Sequence, residues 1–532
     1  MSVAQATAPP LPAVRSAAVI DVGTTSIRMA IAEIDSAGGV RVLETLSQGV
    51  RLGKDTFSQR EISRQTTEEC VRVLKLYRQK LDELQITRPE QIRVVGTTAV
   101  REAINRLSFV DRVYVATGFT IEPIDEPEVH RLTYRSIQPL LRNEPRLMEV
   151  RTVITEVGGG STELLIVDRG NVAFSQSYRL GSLRLRQALQ ALRPQQSKLR
   201  ELMEAEVDRT MELIAENVPR DVPLEMIGLG GDLRFAAREL LPHWDAATLG
   251  VIPVEDLARL VDEIVPMSDD ELVRSFHLSY PDAETVGPAL LTSLFLARLL
   301  QQKQILVSAA NLREGMIREM ADGGVWTVDF REQMIRSAME VGRKCHFDEE
   351  HAVHTAKLAT RLFQELQLEH GLDKRYELLL HLAALLHEIG LFVSNTSLHK
   401  HSMYLITHSD LFGLGHQETL LVALVARYHR RSTPKPVHPG YVTLDRERRI
   451  AVLKMAAMLR LAIALDGGRD QRLTNPTCVR QGNRLIINVP HIEDVSVEQL
   501  AMKSASPMFE EVFGLRVLLR TLDPATLNRP GL

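Results

Sequence analysis

Little in this sequence would staple the chain, anchor it in a bilayer or spread it over nucleic acid. Its three cysteines, Cys70, Cys345 and Cys478, stand far apart with no Cys-x-x-Cys pair. That excludes a disulfide framework and a thiolate zinc site, and fits a reducing compartment, the cytoplasm. The net charge of −4 supplies no global basic field, so neither DNA nor an anionic membrane is an expected partner. The greasiest stretch, 288–300, is interrupted by Thr292, Ser293 and Arg298, and falls short of the ~20 apolar residues that a spanning helix needs. Residues 1–16 lack the basic start and apolar run of a signal peptide and read as a disordered tail. What remains is an ordinary globular balance, 44% hydrophobic and 25% charged residues in a chain of 532, enough for about three or four domains.

The chain repeats itself once. Residues 17–34 run through an apolar stretch, an acid, a glycine-containing bend and a second apolar stretch, and residues 151–168 follow the same plan. Asp21-Val22-Gly23-Thr24-Thr25-Ser26 aligns with Glu156-Val157-Gly158-Gly159-Gly160-Ser161. Each copy reads as a β-hairpin followed by helical segments, among them Glu68–Leu84. The expected architecture is therefore α/β, two lobes flanking a cleft.

Bends of this composition offer closely spaced N–H groups and hydroxyls to an anion, glycine being needed for close approach and for dihedrals with positive φ. Two matching bends predict a phosphate grip made by Gly23, Thr24, Thr25 and Ser26 on one side, and by Gly158, Gly159, Gly160, Ser161 and Thr162 on the other. Asp21 and Glu156 then hold a Mg²⁺ or orient a water. Glu163, two residues beyond Ser161 in a strand, shares its face and is a further metal or water ligand, or else a solvated strand glutamate. A third strand–loop–helix segment, Val94–Arg101, brings Arg101 toward an anion, and a fourth runs Ile227–Asp232.

These segments together resemble the exopolyphosphatase and guanosine pentaphosphate phosphatase family. The resemblance extends to Arg51-Leu-Gly-Lys54, Leu180-Gly-Ser-Leu-Arg184, Asn311-Leu-Arg-Glu-Gly315, Leu398-His-Lys-His-Ser402, Leu459–Asp466 and Phe509–Gly514. It implies two actin-like (ribonuclease H-like) lobes at 17–135 and 136–315, an all-α HD-like domain at 316–475 and a small α+β C-terminal domain at 476–532. It also implies Mg²⁺-dependent release of terminal phosphate from inorganic polyphosphate, with guanosine pentaphosphate or tetraphosphate as further ligands, and a homodimer.

Three departures matter. The family's catalytic glutamate falls on Val129 when Arg131-Leu132 are aligned without a gap, so the base is expected to be Glu128, shifted by Pro127 at the helix start, or Asp125, Glu126 or Glu156. If none serves, the chain is a catalytically weak polyphosphate- or alarmone-binding regulatory protein. Asp232 puts an acid where the family has threonine. In the HD-like region His354, His387 and Asp466 occupy plausible metal positions, but His387-Glu388 breaks the His-Asp pair, so a metal-free structural domain is expected. Nearby, His399, Lys400, His401, Arg427, Arg430 and Arg431 form a basic cluster suited to guiding a long polyanion.

Overall fold

A computed structural model describes residues 14–192, 196–218, 223–323, 326–430, 432–490 and 494–522. The first thirteen residues of the expected tail lie outside that set, and the tail ends earlier than expected because Arg15 and Ser16 already belong to a strand. The chain divides into two compact units, Met1–Val325 and Trp326–Leu532.

In the first unit, β1 (Arg15–Val22), β2 (Ser26–Ile34), β3 (Val40–Gly49), β4 (Ile92–Gly96) and β5 (Ile121–Pro123) form a sheet ordered β3-β2-β1-β4-β5. A second sheet holds β6 (Arg151–Val157), β7 (Thr162–Asp168), β8 (Asn171–Tyr178), β9 (Leu224–Leu229), β10 (Gly250–Pro253) and β11 (Gln304–Val307), ordered β10-β11-β9-β6-β7-β8. The duplication read from sequence is thus a duplication of topology. Each lobe opens with an antiparallel hairpin whose first strand pairs in parallel with the fourth strand of its lobe. Among the described residues, only β10, antiparallel at the edge of the second sheet, has no counterpart in the first.

Both faces of the first sheet are covered, which explains the unbroken apolar run of β1. Ala18, Ile20 and Val22 point to one side, where the helix Arg64–Glu83 brings Val71, Leu74, Tyr77 and Leu81. Ser63 caps that helix, its hydroxyl accepting from the Thr66 amide at 3.2 Å. Ala17 and Val19 point to the other side, against Leu132, Leu312, Met316 and Ile317. The second lobe is filled by the helix Tyr280–Leu299, the greasy stretch of the sequence, buried on nearly all sides. No helix among the described residues is long and apolar enough to cross a membrane.

Two helices tie the lobes together. Glu126–Asn143 runs across the expected division at 135/136. Leu312–Ala321 starts within the Asn311–Gly315 motif, at the expected end of the second lobe, yet it packs on the first. Its Gly315 lies so close to Glu126–Asn143 that a Cβ would overlap the Leu132 carbonyl. Beside that crossing, Glu319 accepts from Arg93 at 2.5 Å and also pairs with Arg131.

The second unit is a helical bundle, Val328–Lys344, Glu349–Glu365, Arg375–Leu386, Leu398–Thr407, His416–Arg427 and Arg446–Leu465. A three-stranded sheet follows, β12 (Thr477–Gln481), β13 (Arg484–Pro490) and β14 (Arg516–Leu522), with Ser496–Phe513 as the crossover helix of the parallel pair β13–β14.

Because the helix crossing leaves no room for a methyl group, Gly315→Ala is expected to lower stability by about 1–3 kcal/mol, read as a fall in the thermal unfolding midpoint. An unchanged midpoint would show that the crossing tolerates displacement.

Candidate active site

The two hairpin bends line one cavity of about 160 Å³, Gly23–Ser26 from the first lobe and Gly158–Ser161 from the second. Thr98 and Ser161 link the lobes across it, hydroxyl to hydroxyl at 3.3 Å. In each bend the opening glycine spends its N–H inside the turn, Gly23 on the Ser26 carbonyl at 3.0 Å and Gly158 on the Ser161 carbonyl at 2.8 Å.

The bend carbonyls are drawn off by the segments that follow. Thr24 accepts from the Gly53 amide at 2.8 Å, Gly158 from Ser182 at 2.9 Å and Gly159 from Leu183 at 3.1 Å. Oxygens engaged in this way are removed as competitors for an incoming oxyanion, leaving the intervening amides and the hydroxyls to grip it. Gly53 and Gly181 serve this tying-back: a Cβ on either would overlap Thr24 or the Gly160 backbone.

None of Gly23, Gly158, Gly159 and Gly160 adopts positive φ, so the dihedral argument made from sequence does not apply to them. Their requirement is space. A Cβ on Gly159 would lie 2.9 Å from the Thr24 methyl, and one on Gly160 would lie 2.7 Å from the Thr98 methyl and 2.8 Å from the Phe57 ring. Gly230, with φ of 104°, is the loop glycine that needs its backbone freedom.

Carboxylates and guanidiniums crowd the cavity walls. Asp21 lies 3.6 Å from Arg313 through Oδ2, while its Oδ1 is buried without a hydrogen-bond partner. Burial raises the Asp21 carboxyl above its ordinary range, with Arg313 and Arg28 opposing. Burial likewise raises Glu156; Arg234 opposes, and the neighbouring Glu163 and Asp21 add to the rise. Asp232 lines the same cavity and is pushed up to about 7 by burial and then by Asp282. About half protonated near pH 7, it repels phosphate less than a fully ionised aspartate would.

Glu163 differs. Burial disfavours its charge, but hydrogen bonds from His130, Ser177 and Ser161 win and hold it below the ordinary range. His130 Nε2 lies 2.7 Å from Oε2 and Ser161 Oγ 2.7 Å from Oε1. Both oxygens are thus spent on protein donors, which makes Glu163 an anchor for Ser161 and not an open metal ligand.

Three residues expected at the site lie elsewhere. Glu128 is not in the cavity wall; its carboxylate pairs with Arg93 at 2.6 Å and Arg131 at 3.2 Å. Pro127 does not reshape the helix start: the helix begins at Glu126, Val129 donates to the Asp125 carbonyl at 3.0 Å, and Val129 itself faces the cavity. Thr162 sends its hydroxyl to the Leu180 carbonyl, on the opposite side of β7 from Ser161 and Glu163. Arg101 donates to the Ile124 carbonyl at 3.0 Å and to Glu126 at 3.2 Å, and lines a neighbouring cavity of about 600 Å³ with Arg60, Arg179, Arg184, Glu102 and Glu126.

Sequence reasoning missed Arg28, Arg234 and Arg313. Arg28 was within reach, being two residues beyond Ser26 in a strand and so on its face. Arg313 belongs to the Asn311–Gly315 motif, but nothing local tells that its helix returns to the first lobe. Arg234 Nη1 is buried without a partner.

In the second unit, His399, Lys400 and His401 lie on Leu398–Thr407, and Arg427 ends the helix packed on it, its Nη1 at 3.2 Å from Met403 Sδ. Lys400 is exposed, Arg430 has a buried Nε without a partner, and Arg431 lies outside the described residues.

Comparison with known proteins agrees with this architecture. Residues 30–323 match the model of the Ppx/GppA phosphatase family, and residues 334–500 that of Ppx/GppA phosphatase, domain III. A guanosine-5'-triphosphate,3'-diphosphate pyrophosphatase of Photobacterium profundum is 24% identical over 490 residues, covering 89% of this chain and 91% of that protein. An exopolyphosphatase structure from Cytophaga hutchinsonii superposes with a TM-score of 0.51 at 24% identity, over 58% of this chain and 98% of that one. An exopolyphosphatase-like protein gives a TM-score of 0.51 at 21% identity, over 57% and 97% of the two chains. With two facing bends, two actin-like lobes and both parts of the chain matched, this protein belongs to the Ppx/GppA phosphatase family.

Proposed function

We propose that this phosphatase hydrolyses the terminal phosphoanhydride of inorganic polyphosphate, and takes guanosine pentaphosphate as a second substrate in the same cavity. The observation that carries the reading is one cavity that joins the unspent Asp21 Oδ1 acceptor to the Arg28 guanidinium and the two facing bends. A cation on the carboxylate and an anion between the bends would be bound together.

Asp21, an oxygen donor with an unspent Oδ1 in the cavity wall, fits Mg²⁺, a hard ion that takes carboxylates and keeps waters, and is the residue that would hold it. When bound, Mg²⁺ supplies neutralisation of the phosphoryl charge. The chain's own part is positioning. Thr24, Thr25, Ser26 and the backbone amides of the second bend orient the terminal phosphoryl, the arginines offset its charge, and Glu156 accepts the proton of the attacking water as orthophosphate leaves.

Polyphosphate is favoured over a nucleotide by the second cavity. Arg184 Nε donates to the Gly160 carbonyl at 2.7 Å, so this cavity backs onto the second bend. It presents four arginines against two glutamates, and the face of Phe57 is already covered by the Arg184 guanidinium at 4.1 Å. A run of phosphates finds charge there, whereas the one aromatic ring lining that cavity among the described residues, Phe57, already carries Arg184 on one face. The names of the relatives point to both substrates. Val129 in the cavity wall favours a second reading, a binding protein without turnover.

Orthophosphate release from long-chain polyphosphate decides between them: turnover with Mg²⁺ supports the hydrolase, and tight binding without release establishes the second reading. Glu156→Gln is expected to lower kcat about 100-fold or more, while Glu128→Gln stays within roughly threefold because it sits in a structural ion-pair network. The reverse order would reassign the base.

Since burial holds Glu156 above the ordinary range, the ionised base is lost as pH falls through that raised value. The acidic limb of kcat/KM is therefore expected above the ~4.3 of a free glutamate. A limb at or below it would remove Glu156 from the role. Chelation of divalent ions is expected to abolish release, with Mg²⁺ restoring it; turnover that persists in chelator would contradict the ion.

A further inference from the structure

The helical unit encloses a second place where buried polar atoms lack partners. His351, His387 and His429 are 2%, 1% and 5% exposed. In each, Nδ1 already has an acceptor: Asp466 Oδ2 at 2.6 Å, the Ala384 carbonyl at 2.7 Å and the Ala426 carbonyl at 2.6 Å. A ring that donates through Nδ1 presents a bare lone pair at Nε2. All three Nε2 atoms are buried with no hydrogen-bond partner. The rings neighbour one another, His351 to His387 at 5.5 Å between centroids and His387 to His429 at 5.2 Å.

One ring nitrogen each of His351 and His387 and a carboxylate oxygen of Glu388 lie within 4.8 Å of one another. Two imidazoles with bare Nε2 lone pairs and a carboxylate thus converge, and in an interior an acceptor without a partner is costly. Arg469 Nη2 donates to both Glu388 oxygens, at 2.8 and 2.7 Å, and balances their charge. Unlike the buried donors around Glu163, Arg469 is an exposed side chain, which an ion taking the carboxylate would displace. It leaves the imidazoles unserved, as their Nε2 atoms remain without partners.

We propose that this pocket is a binding site for a first-row divalent transition-metal ion, held by His351 Nε2, His387 Nε2 and Glu388, with His429 Nε2 as the adjoining fourth donor. Two or three imidazoles with one carboxylate suit zinc, iron, cobalt or nickel and disfavour magnesium. The arrangement behind the ligands fits as well. Asp466 fixes the tautomer and orientation of His351, and backbone carbonyls do the same for His387 and His429, as partners of metal-bound imidazoles do. His354, the residue singled out from sequence, also has a buried and unpartnered Nε2, but lies outside the converging atoms. The broken His-Asp pair at His387-Glu388 pointed to a domain without metal; glutamate at that place still supplies the oxygen.

The test uses the full chain, stripped with chelator, dialysed and titrated with Co²⁺. Binding is read as metal-to-protein ratio and as the visible d–d absorption of nitrogen-ligated cobalt. About one ion per chain with that spectrum is expected. It should be lost in His351→Gln and His387→Gln and kept in Asp21→Asn, which separates this site from the cleft. Asp466→Asn should weaken binding about 10–100-fold. An ion retained equally by His387→Gln, or lost in Asp21→Asn alone, would overturn the assignment. Should the histidine variants fail to fold, the wild-type chain decides by itself: no bound Co²⁺, or Co²⁺ with only oxygen ligands by X-ray absorption, would overturn it.

Discussion

Two chain bends from different lobes meet with hardly a methyl group's clearance between them, and the rest of the first unit is arranged around that approach. Gly159 rests on Thr24, and Gly160 on Thr98 and Phe57, so any side chain at either glycine would push the lobes apart. The same tightness recurs behind the bends. Gly53 and Gly181 let the following helices reach in and take the bend carbonyls. An anion site needs donors with no competing acceptors, and here the acceptors are removed by the helix that follows each hairpin. The two short motifs around Gly53 and Gly181 thereby acquire a physical reason.

The second constraint is charge. Asp21, Glu156, Glu163, Asp232, Arg28, Arg234 and Arg313 share one small volume, where isolated ions would be costly. The protein resolves this unevenly. Glu163 is ionised by three donors, Asp232 is driven toward neutrality, and Asp21 and Glu156 are left with raised affinity for a proton. A pocket poised in that way gains from binding a cation and a polyanion together, more than from either alone.

Much of this was legible in the sequence because it is local. The repeat at 17–34 and 151–168 fixed both hairpins and their bends, and apolar spacing located helices such as Arg64–Glu83, found one turn longer than the stripe suggested. Period-two alternation placed Glu163 beside Ser161. The same rule turns Thr162 to the other face, so its inclusion overlooked a signal that was present. The direction of Glu128 was not readable: at a helix start one residue of rotation decides between cavity and ion pair, and Pro127 accommodates itself in the first turn without shifting the register. The return of Leu312–Ala321 to the first lobe and the burial of Arg234 are products of tertiary packing. The histidines misled for a similar reason. His387 and His429 satisfy Nδ1 on a carbonyl three residues back, which lets a polar ring enter the interior without any local warning.

The account turns on a polyphosphate end seated between the two bends, and diffraction from crystals grown with Mg²⁺ and a non-hydrolysable triphosphate chain tests it most directly. The predicted result is a terminal phosphoryl group bounded by Thr24–Ser26 on one side and Gly159–Ser161 on the other, with its chain leading toward Arg184. A chain bound only among the outer arginines, with the space between the bends vacant, would contradict it.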